Sequence, residues 1–317
     1  MTALGAHLGQ QNLSMDELRG LWRRLDEAGL DWISAWDHFY EAPPAGGTID
    51  HFEAIATLAA LACETQHARL GCLVFYVGYR NPAALAKAAT TLDHLSHGRF
   101  ELGLGAGWHE QEAKAYGYDF PGVGTRLDML EEALPLIRSL LTEDRTTFSG
   151  THYRVEDASC LPRPVQDRLP IWVGGIGEKR TLRMTARDAD GWNAAYVPAP
   201  EFRRLNGVLD DWCGTEGRDP SEIERAINLM FMLGTDGAGV DRARQQLRDQ
   251  WGDMAGRVAD GALLCTPDEA ADRIAEYVDA GADMVNVALR APWDPDALEA
   301  YLTEVVPAVK ARTTVQA

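Results

Sequence analysis

Three observations predict an α/β fold whose parallel strands close into a barrel. Short apolar runs alternate with segments of helical period along nearly all of the 317 residues. These strand–helix units number eight, give or take one, and eight units close a parallel sheet into a (β/α)8 barrel. Four of the apolar runs also end abruptly on acids, imidazoles or glycines, which a buried parallel strand does not need for packing. A doubly wound open sheet is the competing architecture. It would require two domains or more helix at this length, and no G-x-G-x-x-G follows the first strand.

The elements follow in order. Residues 2–8 read as a weak strand. Residues 14–28 read as a helix opened by Ser14 with Glu17 three positions on, a capping box, and closed by Gly29. Residues 32–36 are the second strand and 52–64 a helix. A strand at 69–77 precedes a helix from Pro82 to Leu95, where Pro82 suits the first turn because its missing N–H costs nothing there. A strand at 99–104 is followed by helical patterns at 108–116 and 125–141. Residues 146–155 read as a β-hairpin turning at Ser149-Gly150, leading into the strap Leu161-Pro162-Arg163-Pro164. The stretch 143–169 is therefore an insertion within one domain spanning 1–317. The alternation resumes with strands at 170–173, 190–195, 223–233 and 283–288. Helices accompany them at 178–187, 199–212, 240–251, 266–280 and 295–310.

Composition narrows the function. A formal net charge of −18 argues against nucleic acid and anionic membranes, which both need a positive field. With 46% apolar and 25% charged residues the chain can bury a large core. Five cysteines (Cys63, Cys72, Cys160, Cys213, Cys265) are odd in number, scattered and without a C-x-x-C pair. That pattern predicts a reduced compartment and no metal site. No secretory leader and no apolar run of about 18 residues is seen. A cytoplasmic protein acting on a small molecule is the expectation.

The strand ends carry the chemistry. Asp31-Trp32-Ile33-Ser34-Ala35-Trp36-Asp37-His38-Phe39 stops on a carboxylate and an imidazole, at the strand end where such folds bind ligands. The pair could hold and deprotonate a hydroxyl; the alternative is a helix cap beside a half-exposed histidine. The third strand has Gly71 and Gly78 near its ends, readable as packing glycines or as a close backbone approach to a ligand. The fourth ends in Gly103-Leu104-Gly105-Ala106-Gly107-Trp108-His109-Glu110, where small alternating residues would admit something flat. Glu110 and Glu112 lie two apart on a helix and so do not face one another, which makes them a poor glycosidase pair. The fifth strand runs into Gly174-Gly175-Ile176-Gly177-Glu178-Lys179-Arg180-Thr181. A glycine loop opening a helix, with Lys179 and Arg180 beside it, can cradle a phosphate; a plain βα turn is the alternative.

Together with Leu70-Gly71-Cys72-Leu73-Val74, Tyr79-Arg80-Asn81-Pro82 and Leu92-Asp93-His94-Leu95-Ser96-His97-Gly98-Arg99, these segments resemble the bacterial-luciferase-like family of flavin and deazaflavin oxidoreductases. Within it they resemble most the branch using coenzyme F420. The resemblance implies a luciferase-like TIM barrel with insertions, often a homodimer, transferring a hydride between F420 and an organic substrate. FMN with oxygen, in a monooxygenase, is the alternative, and a barrel that binds a cofactor without turnover is the second. It further implies that Asp37 and His38 line the reactive face of the ring, with His38 as base and Asp37 holding it or the substrate. Cys72-Leu73 would form a non-proline cis peptide behind the ring. Gly105, Ala106, Gly107 and Trp108 would lie beside it, and Gly174, Gly175, Ile176 and Gly177 with Lys179 and Arg180 would hold the phosphate. Trp192 and Asn193, ending the sixth strand, would contact the same cofactor. Members that oxidise sugar phosphates carry a glutamate where this chain has Trp108, so that activity is not implied here.

Overall fold

The structure is a computed structural model describing residues 2–41 and 46–315. Eight parallel strands close on themselves: β1 (Ala3–Leu8), β2 (Trp32–Ala35), β3 (Arg69–Tyr76), β4 (Phe100–Gly105), β7 (Ile171–Gly174), β8 (Gly191–Ala195), β9 (Glu224–Phe231) and β11 (Met284–Leu289). They neighbour one another in that order, β8 pairing with β9 and β11 returning to β1. The antiparallel hairpin β5 (Thr146–Ser149) and β6 (Arg154–Ala158) stands apart, and the two-residue β10 (Ala262–Leu263) extends the edge of β9. The (β/α)8 architecture predicted from the alternation is the one observed.

Helices α1 (Met15–Glu27), α2 (Ala54–Glu64), α3 (Pro82–Leu95), α4 (Glu110–Ala115), α5 (Val123–Thr142), α6 (Thr181–Asp188), α7 (Ala199–Glu216), α8 (Gly237–Trp251), α9 (Ala255–Asp260), α10 (Pro267–Asp279), α11 (Pro295–Ala300) and α12 (Val306–Val315) connect the strands. Their ends follow local chemistry. The Ser14–Glu17 capping box forms as predicted, with the Ser14 N–H donating to Glu17 at 2.7 Å. Asn81 caps α3 through the Ala83 N–H at 2.8 Å, with Pro82 in the first turn. That cap fixes where Tyr79 and Arg80 lie between the end of β3 and the start of α3.

Some boundaries differ from expectation. The hairpin does not turn at Ser149-Gly150. Residues 150–153 form a longer connection because the Glu132 carboxylate of α5 accepts the N–H groups of Thr151, His152 and Tyr153 at 2.7, 2.9 and 3.1 Å. Tyr153 then donates to the Val77 carbonyl at 2.9 Å, which ties the insertion to the end of β3. α4 begins at Glu110 rather than Trp108, because Gly107 takes a left-handed φ of 71° and postpones the helix. Pro43, Pro44 and Ala45, read as part of a loop walling the pocket, lie outside the described residues. No helix among the described residues is long and apolar enough to cross a membrane.

At the N-terminal floor of the barrel, Glu101 is buried, accepts the Trp172 indole N–H at 2.5 Å and pairs with Arg69, which also meets Glu224 at 3.1 Å. Burial pushes Glu101 up to about 7 from 4.5, against the attraction of Arg69. The folded protein thus keeps a proton that the unfolded chain has released between those values. From this group alone, stability falls as pH rises through that window. Glu101→Gln keeps an acceptor for Trp172 and removes the titration. Thermal melts of both proteins should show wild type losing Tm relative to the variant between pH 5 and pH 8. Parallel curves would contradict the assignment.

Candidate active site

All eight barrel strands run parallel, so their C-terminal ends open on one face. Asp37-His38 beyond β2 and residues 174–181 beyond β7 therefore share the barrel mouth. His38 is anchored by a residue that the sequence reading set aside. Its Nδ1 lies 2.6 Å from Oε1 of Glu112, on α4. The same buried carboxylate accepts the Tyr79 hydroxyl at 2.9 Å and the N–H groups of Phe39 and Tyr40 at 2.9 and 3.1 Å. Burial alone would raise the Glu112 pKa. The His38 bond and the two backbone N–H groups outweigh it and hold the group below its ordinary value of 4.5.

An ionised Glu112 can only accept, so His38 Nδ1 carries the hydrogen and donates it. In the neutral imidazole, Nε2 is then the unprotonated nitrogen, and it has no protein partner among the described residues. His7, His51 and His109 also lie at the mouth, but no carboxylate side chain bonds to them. Burial first, then the charges of Arg290 and His38, pushes His7 down to about 3; His51 falls to about 4, mainly through burial. Those imidazoles stay neutral, and the arrangement singles out His38.

Asp37 does not hold His38. Arg80 Nη1 donates to both of its oxygens at 2.8 and 2.7 Å, and the Tyr76 N–H adds a third bond at 3.1 Å. Burial pushes its carboxyl up while Arg80 pulls it down, and burial is the larger effect. Arg80 continues to Glu53 at 2.8 Å, so the pair ties the end of β2 to β3 and α2. Glu112 takes the holding role expected of Asp37.

The glycine readings also change. The non-proline cis peptide is Leu73-Val74, one residue beyond the expected Cys72-Leu73. Cys72 is buried in the core, and the β3–β4 register shifts between Cys72 and Phe75. A Cβ on Gly105 would lie 2.4 Å from Val74 Cγ2, and one on Gly174 would lie 2.7 Å from Val74 Cγ1. The small residues in β4 and β7 therefore make room for the Val74 side chain of β3, and Gly107 does so for the Tyr76 ring at 2.6 Å. Beyond them Ala106 is half-buried and its carbonyl accepts Arg126 Nε at 3.0 Å. Trp108 is 57% exposed, stacks on His109 and meets His38 edge-on with ring centroids 5.2 Å apart.

In the 174–181 loop, Gly175 and Gly177 are exposed while Gly174 and Ile176 are half-buried. The Gly175 N–H is committed to the Asn193 carbonyl at 3.1 Å, whereas those of Ile176 and Gly177 have no acceptor among the described residues. Lys179 is exposed. Arg180 is not free to meet a phosphate, because it pairs with Asp128 and Glu131 at 2.8 Å each. Trp192 is fully buried, stacked on Phe202, and its indole N–H donates to the Gly175 carbonyl at 2.8 Å. It shapes the loop from below, contrary to the expectation that it contacts a cofactor. Among the described residues no cluster of His, Cys, Asp or Glu is arranged to hold a metal ion.

A parallel barrel with an imidazole–carboxylate pair at its C-terminal mouth belongs to the barrel enzymes. Residues 1–284 match the luciferase-like monooxygenase family, and the chain is a member of it. An F420-dependent glucose-6-phosphate dehydrogenase of Intrasporangium calvum is 29% identical over 90% of this chain and 92% of its own. An F420-dependent secondary alcohol dehydrogenase solved with an F420-acetone adduct superposes with a TM-score of 0.87, at 20% identity, covering 97% of this chain and 99% of that one. The oxygenating constituent of 3,6-diketocamphane monooxygenase of Pseudomonas putida, solved with FMN, superposes at 0.75 and 16% identity, covering 98% and 99%.

Proposed function

We propose that this protein is an F420-dependent oxidoreductase that transfers a hydride between the coenzyme and an organic substrate, with His38 moving the accompanying proton. The coenzyme supplies the hydride chemistry. The chain's residues suit such a group. The acceptor-free N–H groups of Ile176 and Gly177 sit before α6, where a phosphate is favoured. A Cβ on Gly177 would meet Thr181 Oγ1 at 2.7 Å, so the cradle is sized for glycine. The Tyr76 hydroxyl, buried and without a partner, is available to a bound ring.

One observation carries the reading: the His38 Nδ1–Glu112 bond, which leaves Nε2 open at the mouth. In the direction of alcohol oxidation Nε2 takes the hydroxyl proton, and Glu112 steadies the imidazolium that forms. In reduction the same nitrogen returns it. Asp37 and Arg80 act at one remove by fixing the segment that carries His38. Exposed Trp108, next to His38, offers a face to the coenzyme ring or to substrate. The reading extends to a cytoplasmic homodimer, for which light scattering is the test.

Fluorescence titration with F420 and with FMN decides between coenzymes. The proposal expects saturable binding of F420, and much weaker binding of FMN. Preferential FMN binding with oxygen uptake would instead favour a monooxygenase, and binding of neither would favour a barrel without turnover.

A further inference from the structure

Most of the more buried arginines in this protein meet a carboxylate: Arg69 with Glu101, Arg80 with Asp37, Arg138 with Asp190 and Arg225 with Asp210. Arg290 does not. It follows the last residue of β11, at the barrel mouth, and makes no hydrogen bond or ion pair among the described residues. Its guanidinium lies 5.1 Å from the Trp36 ring centroid and 4.8 Å from that of Trp251. Its Nε is buried without an acceptor, and so is the indole Nε1 of Trp251 beside it. The Nε atoms of Arg138 and Arg225 also lack an acceptor, but those guanidinium groups meet a carboxylate through another nitrogen, and Arg290 does not. A guanidinium keeps its charge even when burial lowers its pKa, as here.

This pair adjoins the chemistry. Trp36 touches Arg290 on one side and His38 on another, the Trp36–His38 centroids being 6.1 Å apart. His7, 5.4 Å from Trp36, is held neutral and contributes no charge. A chain carrying −18 repels anions at long range, so an anion would settle at the mouth only where a local cation receives it.

We infer that Arg290, with the Trp251 N–H beside it, is the recognition site for a carboxylate on the substrate, the Trp36 and Trp251 indoles holding the guanidinium in place. The substrate class is thus an organic carboxylic acid bearing the group that is oxidised or reduced, for which benzoate serves as a simple probe. A planar carboxylate matches the fork of N–H groups on a guanidinium. The alternative source of an anionic group is the acidic tail of the coenzyme, and the test separates the two. The inference deepens the reading given under Proposed function and rests on it for the chemistry, though not for the binding.

The test is calorimetric titration of benzoate, benzamide and inorganic phosphate into the protein, with and without saturating F420, for wild type, Arg290→Gln and Arg290→Lys. Wild type should prefer benzoate over the isosteric benzamide by about tenfold or more, a charge-assisted bond against a neutral one. R290Q should lose that preference, and R290K, which keeps the charge without the fork, should keep part of it. Should R290Q fail to fold, as judged by its melt, a preference in R290K equal to that of wild type would overturn the role of the fork. The inference also fails if wild type shows no preference, if the preference survives in R290Q, or if phosphate binds in place of benzoate. It fails equally if R290Q weakens F420 and leaves benzoate unchanged, which would give the arginine to the coenzyme. Arg290-dependent benzoate binding in a protein that takes up neither F420 nor FMN would uphold the site and sink the redox reading.

Discussion

His38→Ala is expected to lower turnover by about 10²–10⁴, the usual loss for a general acid–base group, while F420 affinity is unchanged. The reason is the division of labour at the mouth. His38 Nδ1 is spent on Glu112, and Nε2 is the nitrogen left to exchange a proton. Phe39 and Tyr40 remain held by their backbone bonds to Glu112, so the loop keeps its place when the imbalance is confined to one side chain. Steady-state kinetics with the coenzyme titration run in parallel is the check. Unchanged turnover with F420 still bound would remove His38 from the chemistry.

Glu112→Gln carries the second large effect. Its amide can donate to His38 Nδ1, which would put the imidazole hydrogen on Nε2 and deprive the site of its base. A turnover loss of about 10²–10⁴ follows, as when a carboxylate that fixes a histidine tautomer becomes an amide. Because both variants remove one function, H38A combined with E112Q should be little worse than either alone. Glu112→Ala goes further, stranding the Tyr79 hydroxyl, two backbone N–H groups and the imidazole. A loss of about 3–5 kcal/mol of stability is expected, as for breaking a buried charged network. The pH dependence has a definite sign. The Glu112 pKa is lowered on folding, so its contribution is fully present above about 4.5, the value of the unfolded chain, and is lost as pH falls through the folded one. Denaturant unfolding of wild type and E112A should therefore converge toward acid pH, whereas a constant difference would place the carboxylate's contribution elsewhere.

The barrel was legible because apolar periods of 2 and 3.6 alternate so regularly, and because the capping box at Ser14 and the first-turn Pro82 punctuate them. Asp37-His38 was legible as an unneeded polar ending on a buried strand. Glu112 was not, since 74 residues separate it from His38 and on its own helix it looks like any acid in a first turn. The quoted Tyr79-Arg80 was a usable signal whose meaning, bonds to Glu112 and Asp37, exists only in three dimensions. Gly105 and Gly174 were legible only as small residues: in a barrel strand such a residue admits another strand's side chain as readily as a ligand, and here Val74 occupies that space. Trp192 was misplaced because a strand residue points to one face or the other, and pattern alone did not fix which. Arg290 gave no signal at all, because nothing in a sequence marks an arginine that lacks its acid.

The central claim is that the mouth holds a redox coenzyme by its phosphate at residues 174–177, with His38 Nε2 over the reactive part of the ring. A crystal structure of the protein soaked with oxidised F420 tests it most directly. The account predicts the phosphate on the Ile176 and Gly177 N–H groups and the ring between Val74 and His38. A ring bound elsewhere, or one with His38 turned away from it, would contradict the account.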